Sequence, residues 1–243
     1  MTNEQFFLGY PIEFKTICLV YPPRVKDVVS NKNFSLYSKI LTYSQEEIED
    51  EYVEKGYDLS TILNPFEYIL NNAYNSLDFR AIVSKAFMFF IREPVIFLFK
   101  EKKLAIGELK EKKTIEGLRF LSEEDYFDFQ NLIRQAIGIA AIDPPKLDED
   151  PRIKKIKAKA RYRDKIKAKL GIGLNLKTSL TSICYMGLGL NPLNIGELSY
   201  AAVPDLISTY QEKEKYELDI DSLLAGADSK KVKPKYWIRN LEN

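Results

Sequence analysis

Residues 151–170, PRIKKIKAKARYRDKIKAKL, carry ten basic side chains and a single acid, Asp164. So dense a run of like charge cannot enter a core, because each buried cation would need its own partner. The block therefore divides the chain. Residues 1–150 hold 18 Lys and Arg against 25 Asp and Glu, net −7, and residues 171–243 hold 8 against 9, net −1. With +9 between them the chain's formal net charge is +1, which hides the partition. The proline-bearing DPPKLDEDP ahead of the block and Gly171 behind it mark the edges of a connector. Because a charged connector offers little apolar surface to merge two cores, residues 1–150 and 171–243 are expected to pack separately.

From Lys155 to Leu170 charged and uncharged residues alternate, placing Lys155, Lys157, Lys159, Arg161, Arg163, Lys165, Lys167 and Lys169 at strand spacing. The residue types oppose that period, since Ala, Lys and Arg are good helix formers and poor strand formers. An exposed helical connector is expected, ordered by what it touches. Docking on the acidic first domain, of its own or a neighbouring chain, or plain solvation is favoured over nucleic acid. Base recognition needs more than positive charge, and only Tyr162 could stack.

The first domain reads as α+β. The stretches FFLGY and IEFKTICLVY, split at Gly9 to Pro11 and closed by Pro22-Pro23, predict a β-hairpin, and VIFLFK with KLAIGEL, joined by Glu101-Lys102, predict a second. Ser44 with Glu47 forms a capping box ahead of EEIEDEYVE. Asn64-Pro65 opens FEYILNNAY, Ser76 caps LDFRAIVSKAFMFFI, and Ser122 with Asp125 starts a helix that buries Phe129, Leu132, Ile133, Ala136 and Ile137 on one face. Glu46, Glu47, Glu49, Asp50, Glu51 and Glu54 are spread around their helix rather than converging on a cation, and are expected to face solvent or a partner.

The second domain reads as all-α with a basic C-terminal tail, making the whole chain mainly α. Leu176, Leu180, Ile183, Cys184 and Leu188 form one stripe; Val203, Leu206, Ile207 and Tyr210 form another, whose register shifts near Tyr216 and Leu218 and predicts a kink or break. Between them GLGLNPLNIGEL mixes Leu and Ile with turn formers, so Leu188, Leu190, Leu193 and Ile195 cannot all face inward from one helix. Some of them, with Tyr200 and Tyr210, are the candidate partner-binding residues.

Histidine is absent, which removes the usual metal ligand and the usual general base near neutral pH. Cys18 and Cys184 lie far apart in apolar surroundings and read as buried free thiols. Neither Gly171-Ile-Gly173 nor Gly187-Leu-Gly189 continues into a phosphate-loop signature. No apolar run approaches the roughly 18 residues of a spanning helix, and the start of the chain lacks a signal-peptide pattern. The expectation is a cytoplasmic protein that binds rather than catalyses, with no metal and no cofactor.

The stretch SICYMGLGLNPLNIGELSYAAVPDLISTYQEKEKYELDIDSLLAGADSKKVKPKYWIRNL, together with the opening FFLGYPIEFKTICLVYPPRVKDVV, resembles proteins from the tail gene clusters of bacteriophages of Gram-positive bacteria. The nearest functional class is the tail assembly chaperones. That resemblance implies a helical part, matched by Ile195 to Tyr200 leading into Val203 to Tyr210, that holds the tape-measure protein while tail tube subunits assemble around it. The implied partners are tape-measure and tail tube proteins, or further copies of the chain, in the host cytoplasm or in the virion. A structural tail or connector protein is the alternative from the same gene neighbourhood.

Overall fold

A computed structural model describes residues 2–57, 62–108, 117–143, 156, 176–228 and 231–236. Among these residues the chain is mainly helical, with nine α-helices, one antiparallel pair of strands and one three-stranded antiparallel sheet. The basic block, with its eight alternating cations from Lys155 to Lys169, lies outside the described residues except for Ile156.

The first helix, α1 (Thr2–Phe7), occupies sequence expected to be strand. Its end explains the difference. The Gly9 N–H donates to the Phe6 carbonyl and the Tyr10 N–H to the Gln5 carbonyl, while Gly9 takes the left-handed φ of 81° that this closure demands. Aromatic residues had suggested a strand, but Phe6 reaches the core from a helix and is fully buried. The hairpin survives in shortened form within IEFKTICLVY, as β1 (Ile12–Phe14) and β2 (Cys18–Val20) with Phe14 opposite Cys18. Both strands turn alternate residues into the core.

Three short helices follow: α2 (Val25–Ser30), α3 (Phe34–Thr42) and α4 (Gln45–Lys55). The Ser44 capping box forms as expected, the Glu47 N–H donating to Ser44 Oγ at 3.2 Å and the Ser44 N–H to the Glu47 carboxylate at 2.9 Å. The acids of α4 are only partly a solvated face: Glu46 and Glu54 are exposed. Glu49 and Asp50 are buried, and Glu51 accepts hydrogen bonds from the Tyr43 and Tyr68 hydroxyls and from Lys55. Burial pushes the Glu51 carboxyl up, but the bonds from Lys55 and Tyr43 outweigh it and leave its pKa lowered. Burial and the adjacent Glu51 charge push the Tyr68 phenol up to about 12, so it stays a donor. Among the described residues no group of three or more acids and cysteines is placed to hold a metal ion.

Asn64 and Ser76 cap α5 (Pro65–Asn75) and α6 (Leu77–Ile91), accepting from the Glu67 and Phe79 N–H groups. The helix α6 is the axis of the core, burying Val83, Ala86, Phe87, Phe90 and Ile91 against α3, α5 and β2. Pro94 then begins the sheet β3 (Val95–Leu98), β4 (Lys103–Ile106) and β5 (Arg119–Leu121), with Val95 opposite Ile106 and Leu104 opposite Leu121. The β3–β4 hairpin is the expected one; β5 is additional. Helix α7 (Glu123–Ala136) closes the core, and Phe129, Leu132, Ile133, Ala136 and Ile137 are all buried as their spacing predicts. Phe129 stacks on Phe87 with ring centroids 5.5 Å apart and meets Phe14 edge to face at 5.6 Å. Ser122 does not cap a backbone N–H here; its hydroxyl donates to Asp125, which also receives Lys15 from the β1–β2 turn. Cys18 is buried in this core, and burial, with the Glu93 charge adding to it, pushes its thiol up to about 12.

Helices α8 (Leu176–Tyr185) and α9 (Ala202–Leu224) complete the described chain. The expected kink near Tyr216 does not interrupt α9, which is one helix of 23 residues. Nor do the two sides of the basic block pack separately. Ala201 is buried within the main core, and Tyr200 packs on that core with its ring edge to face on Phe34 at 5.3 Å. Gly138, just beyond α7, lies so near the start of α9 that a Cβ on it would come within 2.9 Å of Pro204. Backbone groups make the join: the Val25 N–H donates to the Leu198 carbonyl and the Tyr200 N–H to the Pro23 carbonyl. Such non-local hydrogen bonds leave no trace in composition.

Candidate partner-binding surface

The segment from α8 to α9 is built on four buried residues, Ile183, Ile195, Val203 and Val25, the last borrowed from α2. Around them Leu180, Leu190, Leu198 and Leu206 are half-buried. With so small a cluster, what orders the intervening loop is mostly polar. Gly187 and Gly189 both adopt φ 72°, a left-handed conformation in which a Cβ is strained, and they turn the chain after α8. Asn191 and Asn194 then clamp it: the Asn194 side chain accepts from the Asn191 N–H at 2.7 Å and donates to the Gly189 carbonyl at 3.0 Å, and Asn191 Oδ1 accepts from the Leu193 N–H at 2.9 Å. A single 3₁₀ turn, Ile195–Glu197, follows.

Glu197 ties the loop to α2, accepting from Arg24 at 2.5 Å and Lys26 at 2.6 Å. The Lys26 ammonium first, and the Arg24 guanidinium with it, hold the Glu197 carboxyl below its ordinary value. Ser199 pairs with Arg24 as an isolated antiparallel bridge, and its buried hydroxyl donates to the Phe6 carbonyl at 2.6 Å. The loop is thus fixed at both ends and through its middle.

The six residues singled out by sequence divide under this geometry. Leu193 is 96% exposed and Leu188 53% exposed. Leu190 is half-buried against the small cluster, and Ile195 is buried inside it, so neither offers a free apolar side chain. Tyr200 is half-buried between the two clusters, and Tyr210 lies half-buried on α9 with its phenol raised by a hydrogen bond to Glu214. Sequence reasoning passed over Tyr185, which is 83% exposed at the end of α8. Its signal was available: it follows Cys184 directly and so falls off the stripe that faces inward. Tyr185, Leu188 and Leu193 therefore present apolar surface from one short, hydrogen-bonded stretch.

No family model, curated protein or solved structure matches the chain. Among the described residues no helix is long and apolar enough to cross a membrane.

Proposed function

We propose that the chain works by binding another protein through Tyr185, Leu188 and Leu193. The observation that supports this is an apolar trio, exposed on a loop already fixed by Asn191, Asn194 and Glu197. Large exposed apolar groups are costly to keep in water, and an ordered loop gives up little further conformational freedom on docking. An aromatic side chain beside two leucines is the composition that dominates interface energies.

Within this reading the partner is a phage tail protein, a tape-measure or tail tube subunit, and the chain is a tail assembly chaperone in the host cytoplasm. That narrower part rests on the resemblance of residues 182–241. A structural tail or connector protein is its alternative, and neither requires turnover or a cofactor.

The partner is to be recovered by co-purification from an infected or induced host, and its affinity then measured by calorimetry for the parent chain and for Tyr185→Ser with Leu193→Ser. Weakening of tenfold or more at an unchanged melting temperature is expected. Unchanged affinity would sink the reading. DNA binding with a steep salt dependence would instead move the function to a nucleic-acid-binding module at residues 152–169.

A further inference from the structure

Helix α9 has two apolar sides. At 3.6 residues per turn, Val203, Leu206 and Ile207 lie toward the small cluster with Tyr210 on the same side by period, whereas Tyr216, Ile220 and Leu223 lie on a side rotated by roughly 120° from it. Beyond Ile207 no residue of α9 belongs to either core cluster. The register shift visible in the sequence is therefore a change of face rather than a break in the helix.

The tail of the chain returns to this second face at Tyr216. Gly226, at φ 94°, closes α9, with its N–H donating to the Leu223 carbonyl and that of Ala227 to the Ser222 carbonyl. The Lys231 and Val232 N–H groups bond back to Asp228, and the Tyr236 ring meets Tyr216 edge to face at 5.5 Å. Tyr216 lies about two turns before the end of α9, so residues 231–236 run back along the helix. Their burial alternates: Val232 and Pro234 are half-buried, while Lys231, Lys233 and Lys235 are exposed. The charges match as well. From Gln211 to Leu224 five acids, Glu212, Glu214, Glu217, Asp219 and Asp221, face two lysines, net −3, and the tail segment brings three lysines, +3.

We propose that the Tyr216, Ile220 and Leu223 face is a docking site for an extended, lysine-rich segment of a partner protein with apolar residues at alternate positions, and that the tail is its resident occupant in cis. Tethering gives the tail a high local concentration, so an incoming segment must compete with it. The surface is separate from the Tyr185 to Leu193 loop, and the inference does not depend on the function proposed for that loop.

The probe is a fluorescent peptide of the sequence Lys-Val-Lys-Pro-Lys-Tyr, titrated by anisotropy at low salt against the full chain and against the full chain carrying Val232→Ser and Tyr236→Ala. Binding at least tenfold tighter to the substituted chain, weakened by added salt, is expected. Adding Tyr216→Ala should abolish it, and Tyr216→Phe, which keeps the ring, should restore it at unchanged helical circular dichroism. Equal binding to both chains, no binding to either, or binding indifferent to Tyr216 would each overturn the proposal. So would concentration-dependent self-association of the substituted chain in sedimentation, which would make a second copy the occupant.

Discussion

The core around α6 and the small cluster between α8 and α9 differ in what they need from the rest of the chain. In the first, Phe87, Phe90 and Phe129 are fully buried among residues drawn almost entirely from 6–137. In the second, four residues are buried and one of them, Val25, comes from α2. The first region closes on itself through aromatic packing. The second is held by what it leans on: two backbone hydrogen bonds to residues 23–25, the Ser199 hydroxyl and the Glu197 ion pairs. Regions with few buried apolar contacts open at lower free energy than the global fold, so the cluster that presents the proposed docking loop should also be the first to loosen.

The strongest test of this dependence is Phe129→Ala. Removing a fully buried ring that touches Phe14 and Phe87 should cost about 3–5 kcal/mol in urea unfolding. Because the second cluster leans on the first, amides of residues 183–207 should lose hydrogen-exchange protection no later than those of α6. Protection that persists there after the main core opens would show that the second cluster stands alone.

Gly138→Ala probes the join itself. A left-handed φ of 72° and a Cβ 2.9 Å from Pro204 and 3.0 Å from the Ala201 carbonyl should together cost about 2–4 kcal/mol. Exchange at Val203 and Leu206 should accelerate more than exchange at Phe87 and Phe90; equal acceleration would erase the distinction between the regions.

Ser199→Ala removes a buried hydroxyl from the Phe6 carbonyl, at about 1–3 kcal/mol. The loss should appear as a lower melting temperature, with earlier loosening of α1 and of the start of α9. A change confined to α1 would mean that the bond serves the first region alone.

Glu197→Gln should have the smallest effect, because the ion pairs are exposed and screened by salt. The folded carboxyl titrates below its ordinary 4.5, so its contribution is fully present above that pH. It is lost as pH falls through the lowered folded value. The difference in melting temperature between parent and variant should therefore be measurable at neutral pH and low salt and vanish in acid. A difference that survives acid would assign the effect to packing.

Local chemistry made much of the first region legible. Ser44, Asn64 and Ser76 each start the helix their spacing announces, and the buried face of α7 follows from its period. What escaped was either too short or non-local. Phe6 and Phe7 carry strand propensity, yet Gly9 closes them into a helix; Arg119–Leu121 is three residues long and gains its identity only by pairing with β4. Glu51 looked solvated because its partners, Tyr43 and Tyr68, come from flanking segments. Of the candidate surface, the sequence showed that the loop's four apolar residues could not all face inward. Which ones remained outside was decided by Asn191 and Asn194, whose side chains fix the loop's path.

The two thiols make the contrast between the regions readable by chemistry alone. Burial pushes the Cys18 thiol up to about 12, so it stays the neutral, unreactive thiol at pH 7, and the core shields it from an alkylating reagent. Cys184 is half-buried beside the small cluster. Alkylation should therefore mark Cys184 on each local opening and Cys18 only when the aromatic core gives way, so the two labelling rates in one sample time the two regions separately.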